Sequence, residues 1–254
     1  MIDEIEISGI TDIGRKRSQN EDALLIIRSN EQVLPSWCES VVAVFDGASG
    51  IPNGDIAARK AAAFFADIIS HDSIKVSFVE QIGPILEKAI LETNRRLLED
   101  AETAADSYAT TIAAVVFNNI EPQTIHCGAL GDSLIYVMGS DELQRVFSQD
   151  SYLTELSERG FNISGLRETW GRVMTQVLGL TLSVKPHITH LDIGKGNRII
   201  VCTDGLTESL GDSEIKQIMV NNHDSSQRLC EQLIAIANQK SSEDNITVVA
   251  AYIK

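Results

Sequence analysis

The chain has 254 residues, 43% hydrophobic and 22% charged, which is enough apolar sequence for one well-cored domain. Asp plus Glu number 36 against 21 Lys plus Arg, so the formal net charge is −15, and this argues against nucleic acid and anionic membrane as partners. The opening MIDEIEISGI carries acids where a signal peptide carries lysine or arginine, and no apolar run approaches the ~18 residues that span a bilayer. A cytoplasmic, monomeric protein with a single domain over residues 1–254 is therefore expected. The four cysteines, Cys38, Cys127, Cys202 and Cys230, are far apart and form no Cys-x-x-Cys pair, a reduced-compartment pattern rather than a disulfide framework or a zinc site.

In chain order, the first distinctive segment is Gly14-Arg-Lys-Arg-Ser-Gln-Asn-Glu-Asp22, where arginines precede an acidic pair. Val41–Phe45 is a strand-length apolar run that leads into Asp46-Gly47. Helical spacing follows over Asp55–Ile69 and Val79–Glu102, with Pro84 expected near the first turns of the second helix. Strand-like runs recur at Thr111–Phe117, Thr124–Leu130 and Leu134–Met138; the second of these ends at Gly131-Asp132. Residues Ser148 to Leu180 are polar, glycine-punctuated and without a long apolar run, which predicts one short helix and a loop acting as a lid. Arg198–Cys202 is a strand running into Thr203-Asp204-Gly205, a third helix spans about Ser225–Asn238, and Asp244 precedes the strand Ile246–Ile253. Strands and helices come in blocks, which predicts an α+β protein of mainly antiparallel sheets with helices packed outside.

Three strands end in aspartate and a fourth begins just after one. Asp-Gly at a strand end is a common turn signal, and one such site alone would mean no more than that. Several in one acidic chain place carboxylates at the rim of a core, where they are costly unless paired or metal-bound. The five histidines show no metal-ligand spacing, so the site would be all oxygen, suited to magnesium or manganese rather than zinc. The arginine segment is either a solvated loop or a phosphate grip beside a metal, with Glu21 and Asp22 ordering metal-bound water.

The ordered set Arg17-Ser-Gln-Asn-Glu-Asp22, Asp46-Gly-Ala-Ser-Gly50, Ala109-Thr-Thr111, Gly131-Asp-Ser133, Val173-Met-Thr-Gln-Val-Leu-Gly179, Thr203-Asp-Gly-Leu206 and Asp244-Asn-Ile-Thr247 resembles the protein phosphatase 2C family, from about residue 8 to 253. The resemblance implies a four-layer α-β-β-α sandwich of two mainly antiparallel sheets flanked by helices. It implies Asp46 bridging two Mn²⁺ or Mg²⁺ ions, the Gly47 carbonyl on one of them, and Asp204 and Asp244 completing the other's ligands. Asp132 with Asp204 matches a weaker third ion, and Arg17 matches the phosphate-binding arginine better than Arg15 does. Activity on phosphoserine and phosphothreonine in proteins, opposite a Ser/Thr kinase, would follow. A non-catalytic phosphoprotein-binding domain and a phosphatase of small esters are the alternatives. The chain departs from the family pattern at Ala48, where many members have His or Met, at Ser49-Gly50 in place of Gly-Gly, at Leu134, and at Asp150-Ser-Tyr152.

Other chemistries lack their residues. No cysteine has an arginine six residues on, no Asp-x-x-His stands near the C-terminus to serve Gly131-Asp-Ser-Leu134 as an esterase, Asp46 is followed by Gly-Ala rather than x-Asp, and no Gly-x4-Gly-Lys loop is present.

Overall fold

The structure, a computed structural model, describes all residues except 1–3, 30–33, 72–75, 141, 165, 167–169, 171–172 and 241. The described strands are β1 (Ile5–Asp12), β2 (Asp22–Arg28), β3 (Cys38–Asp46), β4 (Ile112–Asn118), β5 (Thr124–Leu130), β6 (Leu134–Met138), β7 (Leu143–Arg145), β8 (His187–Asp192), β9 (Arg198–Cys202) and β10 (Ile246–Ile253). The helices are α1 (Gly54–Ile69), α2 (Ile82–Ala104), α3 (Tyr152–Glu158), α4 (Asp204–Thr207), α5 (Asp212–Asn221) and α6 (Ser226–Gln239). Among the described residues the strands form two five-stranded sheets, β1-β10-β9-β6-β7 and β2-β3-β4-β5-β8, in which every pairing is antiparallel.

Period-2 alternation assigns each strand two jobs. On β3, Val42 and Val44 point between the sheets while Val41, Ala43 and Phe45 point outward; on β5, Ile125 and Cys127 point in while Leu130 points out. The inner faces meet as one apolar layer that also takes Val115, Ile135, Val201 and Val249. The outer face of one sheet is covered by α1 and α2 through Ala57, Ala61, Phe65, Leu86, Ile90 and Leu97. The other is covered by α5 and α6 through Ile215, Met219, Leu229, Leu233 and Ala237. These are the four layers that the family resemblance implied.

Both faces of the central strands are thus buried, which explains their near-continuous apolar runs. The elements that escaped sequence reading are β1, β2, β7, β8, α4 and α5. The strands β1 and β8 are edges in which partly exposed positions break the apolar run, and β7 has only three residues. Pro84 is the third residue of α2, where its missing N–H costs no intrahelical bond. Ser151 caps α3 by accepting from the Thr154 N–H at 3.2 Å.

Register carries the aspartates to one end of the sandwich. Asp22 lies opposite Asp46 across β2 and β3. Leu134 lies opposite Cys202, so Asp132, two residues before Leu134, and Asp204, two after Cys202, run off the same end of the antiparallel pair. Cys202 also lies opposite Val248, which sets Asp244 beside the same corner. A buried hydrogen bond between the Thr111 and Ser133 hydroxyls, 2.7 Å, joins the two sheets beneath this end.

Candidate active site

Asp46, Asp132 and Asp204 each bring a carboxylate oxygen within 4.8 Å of the others. They line a cleft of about 170 Å³ with Arg17, Ser49, Met174, Glu208 and Asp244. A larger cleft of about 700 Å³ lies by β7 and Asn197, away from these residues, so size does not mark the site.

Burial is the first cause that pushes the pKa of these groups upward, making them weaker acids, and repulsion from neighbouring carboxylates adds to it. Asp46 and Asp204 are held well above the usual carboxylate range by burial, then by neighbouring carboxylates, Asp22 foremost for Asp46 and Asp132 foremost for Asp204. Burial raises Asp132 to about 6, with Glu208 and Asp244 adding to the effect. Asp204 Oδ1 is buried with no hydrogen-bond partner. A cluster of acids that repel one another, with one oxygen orphaned, is unstable by itself and fits an oxygen-liganded divalent cation.

Asp244 stands apart from the triplet. Its Oδ2 accepts from Arg17 Nη2 at 2.6 Å, and its Oδ1 accepts from the Asn245 N–H at 2.7 Å. Arg17 also donates to Ser49 Oγ at 2.7 Å and lies 3.7 Å from Glu21. Arg15, the competing arginine, is exposed and does not line the cleft. Asp22 is buried beside Asp46, and its Oδ2 accepts from the hydroxyls of Thr203 (2.9 Å) and Thr247 (2.7 Å). Burial raises Asp22 to about 7 against the pull of those two hydrogen bonds.

Glycine shapes two of the loops. A Cβ on Gly47 would lie 2.6 Å from the carbonyl of Gly54, so the chain after Asp46 can press onto the start of α1 only without a side chain. A Cβ on Gly205 would lie 2.0 Å from the Asn245 carbonyl oxygen, and its absence lets the Asp204 turn pack against the Asp244 loop.

Sequence reading missed Glu208, Met174 and the two threonines. Glu208 follows Asp204 by four residues, one helical turn, which is the signal that could have found it. Met174 comes from the segment 148–180 and reaches the cleft through a bridge to Ser151. That segment hangs from the Asp132 turn: Asp150 Oδ2 accepts from the Gly131 N–H at 2.9 Å, the Asp150 N–H donates to the Gly131 carbonyl at 2.8 Å, and Gln149 Nε2 donates to the Asp132 carbonyl at 3.0 Å. Asp150 Oδ1 meets His187 Nε2 at 2.8 Å. Gly165, Arg167 and Gly171 lie outside the described residues.

A family model described as Protein phosphatase 2C matches residues 14–248. The chain belongs to that family. It is a phosphatase, and the alternative of a domain that only binds phosphoproteins loses its ground. Among its relatives, the serine/threonine phosphatase stp of Listeria innocua is 25% identical over 244 residues, 94% of this chain and 92% of that one. The protein phosphatase PhpP of Streptococcus pneumoniae is 24% identical over 247 residues, 96% of each chain. Among solved structures, the S. agalactiae serine/threonine phosphatase superposes with a TM-score of 0.85 at 24% identity, covering 99% of this chain and 100% of that one. The catalytic domain of the phosphatase PstP, in complex with two manganese ions, gives 0.76 at 22% identity, covering 98% and 97%.

Proposed function

We propose that the chain hydrolyses phosphoserine and phosphothreonine in proteins at a centre of two Mn²⁺ or Mg²⁺ ions. Asp46, the Gly47 carbonyl, Asp204 and Asp244 would be the ligands, with Asp132 and Asp204 holding a weaker third ion. The observation that carries this reading is the convergence of Asp46, Asp132 and Asp204 within 4.8 Å, with a buried, unpartnered oxygen on Asp204. Bound ions would supply an acidified water as nucleophile and positive charge opposite the phosphoryl oxygens.

The chain's own groups bind and orient. Arg17, about one-third exposed at the cleft, presents a planar fork that matches two phosphate oxygens. Asp22 spends Oδ2 on Thr203 and Thr247. Its other carboxylate oxygen would orient a water, and Glu21, beside Arg17, would share that task. Ala48 is buried against Ala109 and Val177 and offers no proton to a leaving group.

On this reading residues 1–254 are a single catalytic domain and 148–180 is its lid. The substrates are phosphoproteins made by an opposing Ser/Thr kinase in the cytoplasm, and the enzyme acts as a monomer. No helix among the described residues is long and apolar enough to cross a membrane. The test is phosphate release from a phosphoserine peptide with and without manganese, repeated after exhaustive chelation. Activity that depends on the ion is expected, and full activity after chelation would overturn the reading.

A further inference from the structure

The cleft is badly suited to an anion apart from its ions. Its lining consists of five carboxyl side chains, Met174, Arg17 and Ser49. Among the described residues Arg17 and Ser49 are therefore the only lining side chains, carboxyls aside, with a hydrogen-bond donor. Ser49 is three residues beyond Asp46 and exposed, in a turn where the family pattern has glycine. Ala48 beside it is turned into an apolar cluster and adds nothing polar.

We propose that Ser49 is a second phosphate-binding group, its hydroxyl accepting from Arg17 while donating to a phosphoryl oxygen of the substrate. The inference rests on the reading above, in which Arg17 holds the phosphate. A hydroxyl has one proton and two lone pairs, whereas a guanidinium has donors only. The 2.7 Å contact from Arg17 Nη2 therefore occupies a lone pair of Ser49 Oγ and leaves its proton uncommitted. Among the described residues that hydroxyl has no other partner. An oxyanion gripped by Arg17 would lie beside the same hydroxyl, within reach of its free proton. Polarisation by the cationic neighbour makes the hydroxyl a better donor. The same contact steadies the guanidinium, which is otherwise drawn toward Asp244 at 2.6 Å and Glu21 at 3.7 Å. Ser49 thus adds a neutral hydrogen bond to the phosphate and holds the arginine fork at the cleft, two effects that appear together in ground-state binding.

The experiment uses the full chain loaded with manganese, and its primary probe is inorganic phosphate titrated by calorimetry. KM and kcat are measured on p-nitrophenyl phosphate and on a phosphoserine peptide. Ser49→Ala is expected to raise the phosphate Kd and both KM values about five- to tenfold, as loss of one hydrogen bond implies. Its kcat and manganese stoichiometry should stay within about twofold of the parent, and Ser49→Thr should restore the affinity. In an Arg17→Ala background the same substitution should cost less than about twofold, because the two groups act as a unit. A Kd unmoved by Ser49→Ala, while Arg17→Ala weakens phosphate, overturns this inference and leaves the phosphatase reading standing. So does a loss of manganese in Ser49→Ala, or a Ser49→Thr variant that restores nothing. If neither substitution weakens phosphate, the reading of Arg17 fails first.

Discussion

The strand-end carboxylates and the segment 148–180 meet at one cleft but are held in different ways. Asp46 is the last paired residue of β3, and Asp132 and Asp204 sit two residues beyond paired positions of strands buried on both faces, so a one-residue slip in register would turn a whole strand inside out. The segment 148–180 has, among its described residues, few buried side chains and one short helix, and it is tied to the body near its two ends, through Asp150 to Gly131 and through Leu178 and Gly179 to Thr110 and Asn94. The difference teaches where precision and adaptability are lodged. The carboxylates proposed to hold ions are placed by sheet register, and the segment proposed as a lid lies mostly outside the sheets and is held near its ends.

The largest effect should come from the rigid half. Asp46→Asn, Asp204→Asn and Asp244→Asn keep shape and remove the charge that holds an ion, and each is expected to lower turnover by about a thousandfold or more, on the order of 4 kcal/mol. Asp204→Asn should also raise the melting temperature of the metal-free protein, since it relieves repulsion with Asp132, Glu208 and Asp244. Calorimetry of the chelated variant checks this, and a lowered melting temperature would mean that the carboxylate is needed for packing rather than ions.

Arg17→Ala comes next. Losing a charge-assisted contact costs about 1.5–3 kcal/mol, so affinity for phosphate should fall by about ten- to a hundredfold while manganese stays bound. Titration of both ligands separates the two; the same phenotype in Arg15→Ala alone would reassign the grip.

Asp132 belongs to the rigid half but borders the lid. Asp132→Ala is expected to keep the two tighter ions and to lower turnover on a phosphoserine peptide at least tenfold, about 1.4 kcal/mol. The loss should shrink on p-nitrophenyl phosphate, whose leaving group needs no proton. Unchanged turnover on the peptide would leave Asp132 a turn residue.

The smallest effect should come from the lid. Trp170 is about two-fifths exposed and meets Tyr152 edge-on, ring centres 5.7 Å apart. Trp170→Ala should slow protein substrates a few-fold and leave p-nitrophenyl phosphate unaffected. Equal losses on both would make the pair a structural prop and weaken the contrast between the two halves.

Much of this was legible from the chain because both signals are local. Apolar runs ending in Asp46, Asp132 and Asp204 mark strands that leave a core, and the order of seven short motifs marks the family. Glu208 and Met174 were not legible in the same way. Glu208 lines the cleft because α4 brings it near Asp132, and Met174 lines it in a stretch bridged to Ser151.

By itself, then, the amino-acid sequence determined the fold class and the family, since periodicity and motif order are written within short windows. Tertiary structure alone decided which acids share an ion-sized space and which do not. Asp244 pairs with Arg17 while the other three converge, and Asp22 is bound by two threonines 181 and 225 residues away. The reason is physical: repulsion, burial and hydrogen bonding act over a few ångströms in space, whatever distance the chain has travelled between the residues.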